Sequence, residues 1–341
     1  MTSMSPPVEE GRRRDRKTVV LIVIALALLF LAALGIFTLL IGRGGPRVGL
    51  PNVLGAGTGK PKFDQQFASA GRPWAVAVSP DGKRVYVSEG AGAYAIKVFD
   101  KSGAFIADAT PPNTNEYSRL PMGLAVAPSG LVYVADRKLR QVDIYDADGS
   151  FNGVLHPAGV DDWAPIGVTV DSSGMIYVCE AYEVPATEDK PAVERHRIYE
   201  MQADGSIVRT FGEKGAAANN LMYPNQLAVD GKGRIWVADT TGVKVFQQDG
   251  TYLFRLHQDG DDGVTLPGGV AYGDNKIFVT DVTNHRVVVF DVSEDAPKFT
   301  TQFGELGIGK GQMRYPSGIA VSGSRIYIAN RENGRIDTWT Q

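Results

Sequence analysis

Four histidines stand in the 341-residue chain: His156, His196, His257 and His285. His156 and His257 each lie seven residues beyond a turn glycine, Gly149 and Gly250. Acids follow both, Asp161 and Asp162 after the first, and Asp259, Asp261 and Asp262 after the second. Imidazole nitrogens and carboxylates are donors that zinc accepts, and a catalytic zinc takes three protein ligands around one open position. The stretch HQDGDDGVTLP (257–267) also offers oxygens suited to calcium, but lacks the D-x-D-x-D-G spacing and distant Glu of a calcium loop. His156, His257, Asp259, Asp261 and Asp262 are therefore the candidate ligands of a divalent cation, zinc or calcium. Solvated loop histidines are the competing reading. No other cofactor is implied: the chain has no P-loop, dinucleotide fingerprint or G-x-S-x-G elbow.

The elements that must position such groups come from a repeat. A proline opens an apolar run, a Gly-containing turn follows, and a second apolar run ends on an acid or amide. The phrase occurs as PWAVAVSPDGKRVYVSE from Pro73, PMGLAVAPSGLVYVAD from Pro121 and PIGVTVDSSGMIYVCE from Pro165. It returns as PNQLAVDGKGRIWVAD from Pro224, PGGVAYGDNKIFVTD from Pro267 and PSGIAVSGSRIYIAN from Pro316. Spacings of 48, 44, 59, 43 and 49 residues, with β-branched and aromatic alternation, fit propeller blades rather than a helical array. A third run (VDIYD 142–146, VKVFQ 243–247, RVVVFD 286–291) and a fourth (SIVRTF 206–211, TYLFRL 251–256) complete each unit. The expected fold is all-β, a six-bladed propeller of four-stranded antiparallel blades.

These residues resemble the NHL repeat family: P-x-G-[IV]-A-V, then [IV]-[YW]-V-A-D, then N-x-R-[IV]-x-[VI]-F. The unit at 267–291 is the nearest, with TDVTNHRVVVF carrying the Asn284–His285 pair. The resemblance covers about residues 62–341 and implies, besides the propeller, zinc-dependent relatives that cleave peptidyl hydroxyglycine. Lactonase-like hydrolases are six-bladed cousins.

The sixth unit ends at IDTWTQ, after its third strand, while PKFDQQF (61–67) shares five of seven positions with the fourth strand at PKFTTQF (297–303). Strand 62–67 is therefore expected to close the ring from the N-terminal side, so that the propeller covers residues 61–341. Before it come a tail (1–17), an uncharged run of 25 residues (Thr18 to Gly42) and a Gly-rich linker (43–60). Such a run is long enough to cross a bilayer as a signal-anchor helix. Arg12, Arg13, Arg14, Arg16 and Lys17 ahead of it place the N-terminus in the cytoplasm and the propeller outside.

Beyond the first 17 residues stand 30 basic and 35 acidic groups, a balance that argues against nucleic acid as partner. With one cysteine, Cys179, no intrachain disulfide forms, and its place in IYVCE reads as packing. Strand direction puts the acids Glu89, Asp136, Glu180, Asp239 and Asp281, with Asn330, on one face. Capping of the following turns explains them better than a cation site, since Asn330 adds no charge. On that face the third unit carries an insertion, AYEVPATEDKPAVER (181–195), and Tyr182, Arg195 and His196 are its candidate contacts. Trp74, Asn225 and Gln226, beside the opening prolines, are candidates at the channel mouth. The expected partner is a protein, peptide or glycan, and the propeller a sensor, scaffold or assembly factor; a metal-dependent lyase or hydrolase is the alternative.

Overall fold

The computed structural model describes residues 59–341 other than 69–70, 188, 257–259 and 261. The chain divides into two units, 1–57 and 58–341, of which the second is described. The tail, the apolar run and most of the linker lie outside the described residues. Among the described residues no helix is long and apolar enough to cross a membrane.

Six four-stranded antiparallel sheets stand in a ring. Their innermost strands are Pro73–Val78, Pro121–Val126, Pro165–Val170, Pro224–Val229, Pro267–Gly273 and Pro316–Ser322, here blades 1 to 6 in that order. The second strands are sealed from water on both faces: every residue of Val132–Asp136 and of Ile235–Asp239 is buried. Near-continuous apolar runs ending in an acid are what that environment selects. The core lies between blades as six clusters, one at each boundary. Trp163 seals blades 2 and 3, and Trp236 seals blades 4 and 5.

The proline phrase has a steric reason. Each innermost strand shifts register just after its proline and then meets its neighbours at a narrow waist. Ala75, Gly123, Gly167, Gly269 and Gly318 stand there. A Cβ added at Gly167 would lie 2.3 Å from the Asn225 carbonyl oxygen, and one at Gly318 would lie 2.6 Å from Ala75 Cα. Blade 4 alone places a long side chain, Gln226, at this position.

Blade 6 takes its outermost strand from Lys62–Ala68, paired antiparallel with Arg335–Thr340. Its bulge falls at Asp64, matching the bulge at Thr300 in blade 5's outer strand, Lys298–Phe303. Phe63 packs edge-on against Trp339 at 5.7 Å, and Asp64 pairs with Arg325 at 2.9 Å. The two ends of the described unit are joined without a covalent bond, and no blade edge is left open inside the ring.

The insertion in blade 3 differs from the loop expected. It lengthens two strands to Ile176–Val184 and Val193–Met201, paired residue for residue out to Val184 and Val193. The described residues of the tip between them are irregular, while side chains on both arms find partners on the neighbouring elements.

Candidate functional site

At the proline end of the ring the acids turn inward and are consumed by the frame. Asp136 accepts the backbone N–H groups of Leu120, Lys138 and Leu139 at 2.8–3.1 Å. Asp239 accepts those of Met222 and Thr241, and Asp281 those of Thr265 and Leu266. Asn330 does the same for Arg314 at 2.8 Å. Each ties the connection entering its blade to the blade's second strand, as the capping reading expects.

A neighbour on the third strand of the same blade completes each group. Lys244 meets Asp239 at 3.2 Å with both side chains fully buried, and burial pushes the lysine's pKa down. Asn330 donates to Asp337 at 2.6 Å, so blade 6 keeps its carboxylate but moves it one strand outward. Burial raises the Asp337 pKa, opposed by its bonds to Asn330 and Arg335. In blade 2 the neighbour is a second acid. Asp143, buried beside Asp136 and bonded to Gln141 Nε2 at 2.6 Å, is pushed up to about 7, chiefly by burial.

Two blades carry Glu instead, one methylene too long for the cap. Glu180 reaches past the turn to Tyr199 Oη at 3.0 Å and Arg195 at 3.1 Å. Glu89 is fully buried, and neither carboxylate oxygen has a hydrogen-bond partner among the described residues. Lys97 approaches Glu89 only to 4.0 Å because Asp108 holds it at 2.7 Å. Burial raises Glu89 to about 7.

Several candidate contacts take other roles. Tyr182 is 7% exposed, clamped under the Arg195 guanidinium at 4.2 Å, with Arg140 at 5.8 Å on its ring. Arg195 itself bridges Glu180 to the Asp162 carbonyl. These two residues fasten the hairpin to blade 2 instead of offering free contacts. His196 is fully buried. Its Nδ1 lies 3.2 Å from the Tyr223 backbone N–H and 3.3 Å from the Leu221 carbonyl, and its Nε2 lies 3.3 Å from Glu183. His285 Nδ1 accepts the Tyr315 N–H at 3.1 Å in the same way. Tyr223 and Tyr315 have φ of 56° and 50°, just before the prolines of blades 4 and 6, and each ring packs against its histidine, tilted at Tyr223 and edge-on at Tyr315. The two histidines thus clamp two strained Tyr-Pro entries. A His 27 or 30 residues ahead of a Tyr-Pro carries the signal in the sequence, and single-unit alignment misses it because the bond crosses between blades.

His156 does not face the channel. The strong twist of each blade carries the end of its outer strand to the rim, where the His156 carbonyl oxygen would lie 2.3 Å from a Cβ at Gly205 of blade 3. Its ring lies 6.3 Å from Trp163. Asp262 is exposed, and His257, Asp259 and Asp261 lie outside the described residues. Among the described residues no three His, Cys, Asp or Glu side chains are grouped to hold a metal ion.

Cys179 bridges blades: its Sγ accepts the Gly167 N–H at 3.2 Å and faces the Pro224 carbonyl at 3.4 Å. Ser88 and Thr280 occupy the same place in blades 1 and 5. Burial pushes the thiol up to about 12, so it is chemically quiet.

What remains at the mouth is a small set of partly exposed aromatic, basic and amide groups. Trp74 is half-buried beneath the Arg331 guanidinium at 4.3 Å. Arg137 has no carboxylate at ion-pair distance among the described residues. Tyr223 is 40% exposed and donates its hydroxyl to Glu183 at 2.6 Å. Asn225 donates to the Gly268 carbonyl at 3.0 Å on the mouth side. Gln226, expected beside them, instead crosses the waist to donate to Ile319 O of blade 6 at 3.1 Å. It lines a 220 Å³ cavity in the far half of the channel, walled by Val78, Val126, Val170, Val229 and Val321.

Residues 265–290 match the NHL repeat family model, so blade 5 carries an NHL repeat within a six-bladed propeller. The chain is similar to mouse peptidyl-glycine alpha-amidating monooxygenase, 34% identical over 140 residues, which is 36% of this chain and 14% of that protein. It is also similar to protein brain tumor of Drosophila melanogaster, 30% identical over 138 residues, 40% of this chain and 12% of that protein. Both matches span a small fraction of those relatives. Among solved structures, virginiamycin B lyase from Staphylococcus aureus superposes with a TM-score of 0.55 at 15% identity, over 81% of this chain and 98% of that one. A chain of the nidogen/laminin complex does so with 0.55 at 17%, over 76% and 98%. At such identities the likeness is one of fold.

Proposed function

We propose that this chain is a membrane-tethered propeller outside the cytoplasm that binds a protein or peptide partner at its proline-side mouth. A glycan is the other ligand the mouth chemistry admits. One observation carries the reading: on a rigid, closed frame in which Asp136, Asp239 and Asp281 are committed to loop capping, Trp74 beneath Arg331, Arg137 and the partly exposed Tyr223 stand around one opening. Aromatic and arginine side chains are the groups that concentrate binding energy at interfaces. Positively charged and aromatic together, they favour a partner that brings carboxylates. The apolar run at 18–42 supports the tether, and the Arg and Lys ahead of it support the orientation.

The test is photo-crosslinking in the native cell, with a benzophenone amino acid placed in turn at Tyr223, Trp74 and, as a far-side control, Val78. Discrete protein adducts at the first two positions and none at Val78 are expected. Adducts at Val78 alone would end the proposal.

A second reading, a metal-dependent lyase or hydrolase, draws support from the identity with the amidating monooxygenase. It requires a stoichiometric divalent ion in the purified full-length chain and a melting temperature that falls with chelator. Losses of both in a His156→Ala/His257→Ala variant would place the ion.

A further inference from the structure

We infer that the connection 304–315, between blades 5 and 6, is a docking element for a protein segment whose apolar side chains are flanked by acids. The inference rests on the binding reading above and adds a contact surface and a partner chemistry to it.

The chain contains this connection twice. FGEKGAAANNLMYP (211–224) leads into blade 4 and FGELGIGKGQMRYP (303–316) into blade 6, at equal length. Both fold as the same strap. Lys214 bridges in parallel to Leu221, as Leu306 does to Met313, and Leu221 and Met313 are both fully buried. Both end in the histidine-clamped tyrosine before proline.

Their outer surfaces differ. In the first strap Lys214 is covered by the blade 3 hairpin, bonded to Glu183 and to Glu194 at 2.9 Å. In the second the same position is Leu306, 61% exposed, and Ala216 is replaced by Ile308, 73% exposed. Blade 5 has no long hairpin to cover them, since its second and third strands, Lys276–Asp281 and Arg286–Asp291, are joined by four residues. On the first strap an extended segment carrying acids sits over the connection and pairs with its lysine.

The second strap is also held stiffly. Arg335 donates to the carbonyls of Ile308, Gly309 and Gln312 at 2.7–3.0 Å, and Asn333 to that of Gly307 at 2.9 Å. A surface ordered in advance loses little entropy when a partner docks. Lys310 and Arg314 flank the two apolar side chains, both exposed and with no carboxylate at ion-pair distance among the described residues. Apolar anchors flanked by acids are the complement of that arrangement.

The probe is a displayed library of random 12-residue peptides, selected on the full-length chain in detergent micelles, with affinities read by fluorescence anisotropy. The variant is Leu306→Lys/Ile308→Ala, which installs the residues of the sister strap and so leaves a foldable loop. Selected peptides are expected to pair Leu, Ile or Phe with Asp or Glu, and to bind the variant about tenfold more weakly or worse. Unchanged affinity in the variant overturns the inference. If those peptides instead lose affinity with Trp74→Ala, the mouth reading stands without it. Peptides with no excess of acids overturn the stated chemistry, and a selection that enriches nothing counts against both readings.

Discussion

Blades 4 and 2 place an aspartate at the same point, the end of the second strand, and differ in the residue facing it from the third. Asp239 of blade 4 meets Lys244, whereas Asp136 of blade 2 meets Asp143. The caps made by the two aspartates are alike, yet one site is a neutralised pair and the other holds two acids. The second-strand position is therefore dictated by the loop it must cap, and the third strand is where each blade sets its own electrostatics. Blade 1 resembles blade 2 in holding an uncompensated acid, because the extra methylene of Glu89 leaves its carboxylate without a hydrogen-bond donor among the described residues.

The comparison breaks first at Lys244. Lys244→Met leaves Asp239 buried without its counter-charge and is expected to cost about 3–5 kcal/mol, read from chemical denaturation. Adding Asp239→Asn should recover most of that loss. If the single variant is as stable as the parent, the pair is not what completes blade 4.

Acidity sharpens the other side. Glu89 and Asp143 hold protons in the fold up to about pH 7, while in the unfolded chain they release them near pH 4. Their contribution is therefore fully present below about pH 4 and is lost as pH rises through 7. Glu89→Gln and Asp143→Asn should each raise the melting temperature at pH 8, on the order of 5 °C, and leave it nearly unchanged at pH 4. Equal shifts at both pH values would remove protonation as the cause.

The two histidine clamps offer a smaller contrast. His196→Ala and His285→Ala each free one N–H on a left-handed tyrosine, with an expected cost of about 1–3 kcal/mol. His196 is the more buried and should cost more; the reverse order in denaturant midpoints would contradict the shared role. Smallest of all is Cys179→Ser, expected to change stability by under about 1 kcal/mol, since serine already makes the same bridge in blade 1. A large loss would show that sulfur size, not the bridge, matters there.

Much of this was readable along the chain. The proline phrase, repeated in register, reports the narrow waist and the sealed second strands, so fold class follows from period and alternation. The capping aspartates were readable too, because their partners lie within the same unit or the connection leading into it. The site was less so. Tyr182 and His196 look like loop residues until the hairpin pairs and buries them, and His156 looks like a ligand until blade twist carries it to the rim. Gln226 reads as a mouth residue although it spans the waist to blade 6.

By itself the sequence determined the number of blades, the strand order within each and the acid-capped turns, since these depend on contacts a few tens of residues apart that recur in every unit. Only the tertiary structure decided which polar groups are used up and which are left over. Whether a buried carboxylate meets lysine, asparagine or a second acid, and whether a strap is covered by a hairpin or exposes Leu306 and Ile308, depends on neighbours supplied by another strand or another blade. Those neighbours are set by twist and ring closure, which no single repeat contains.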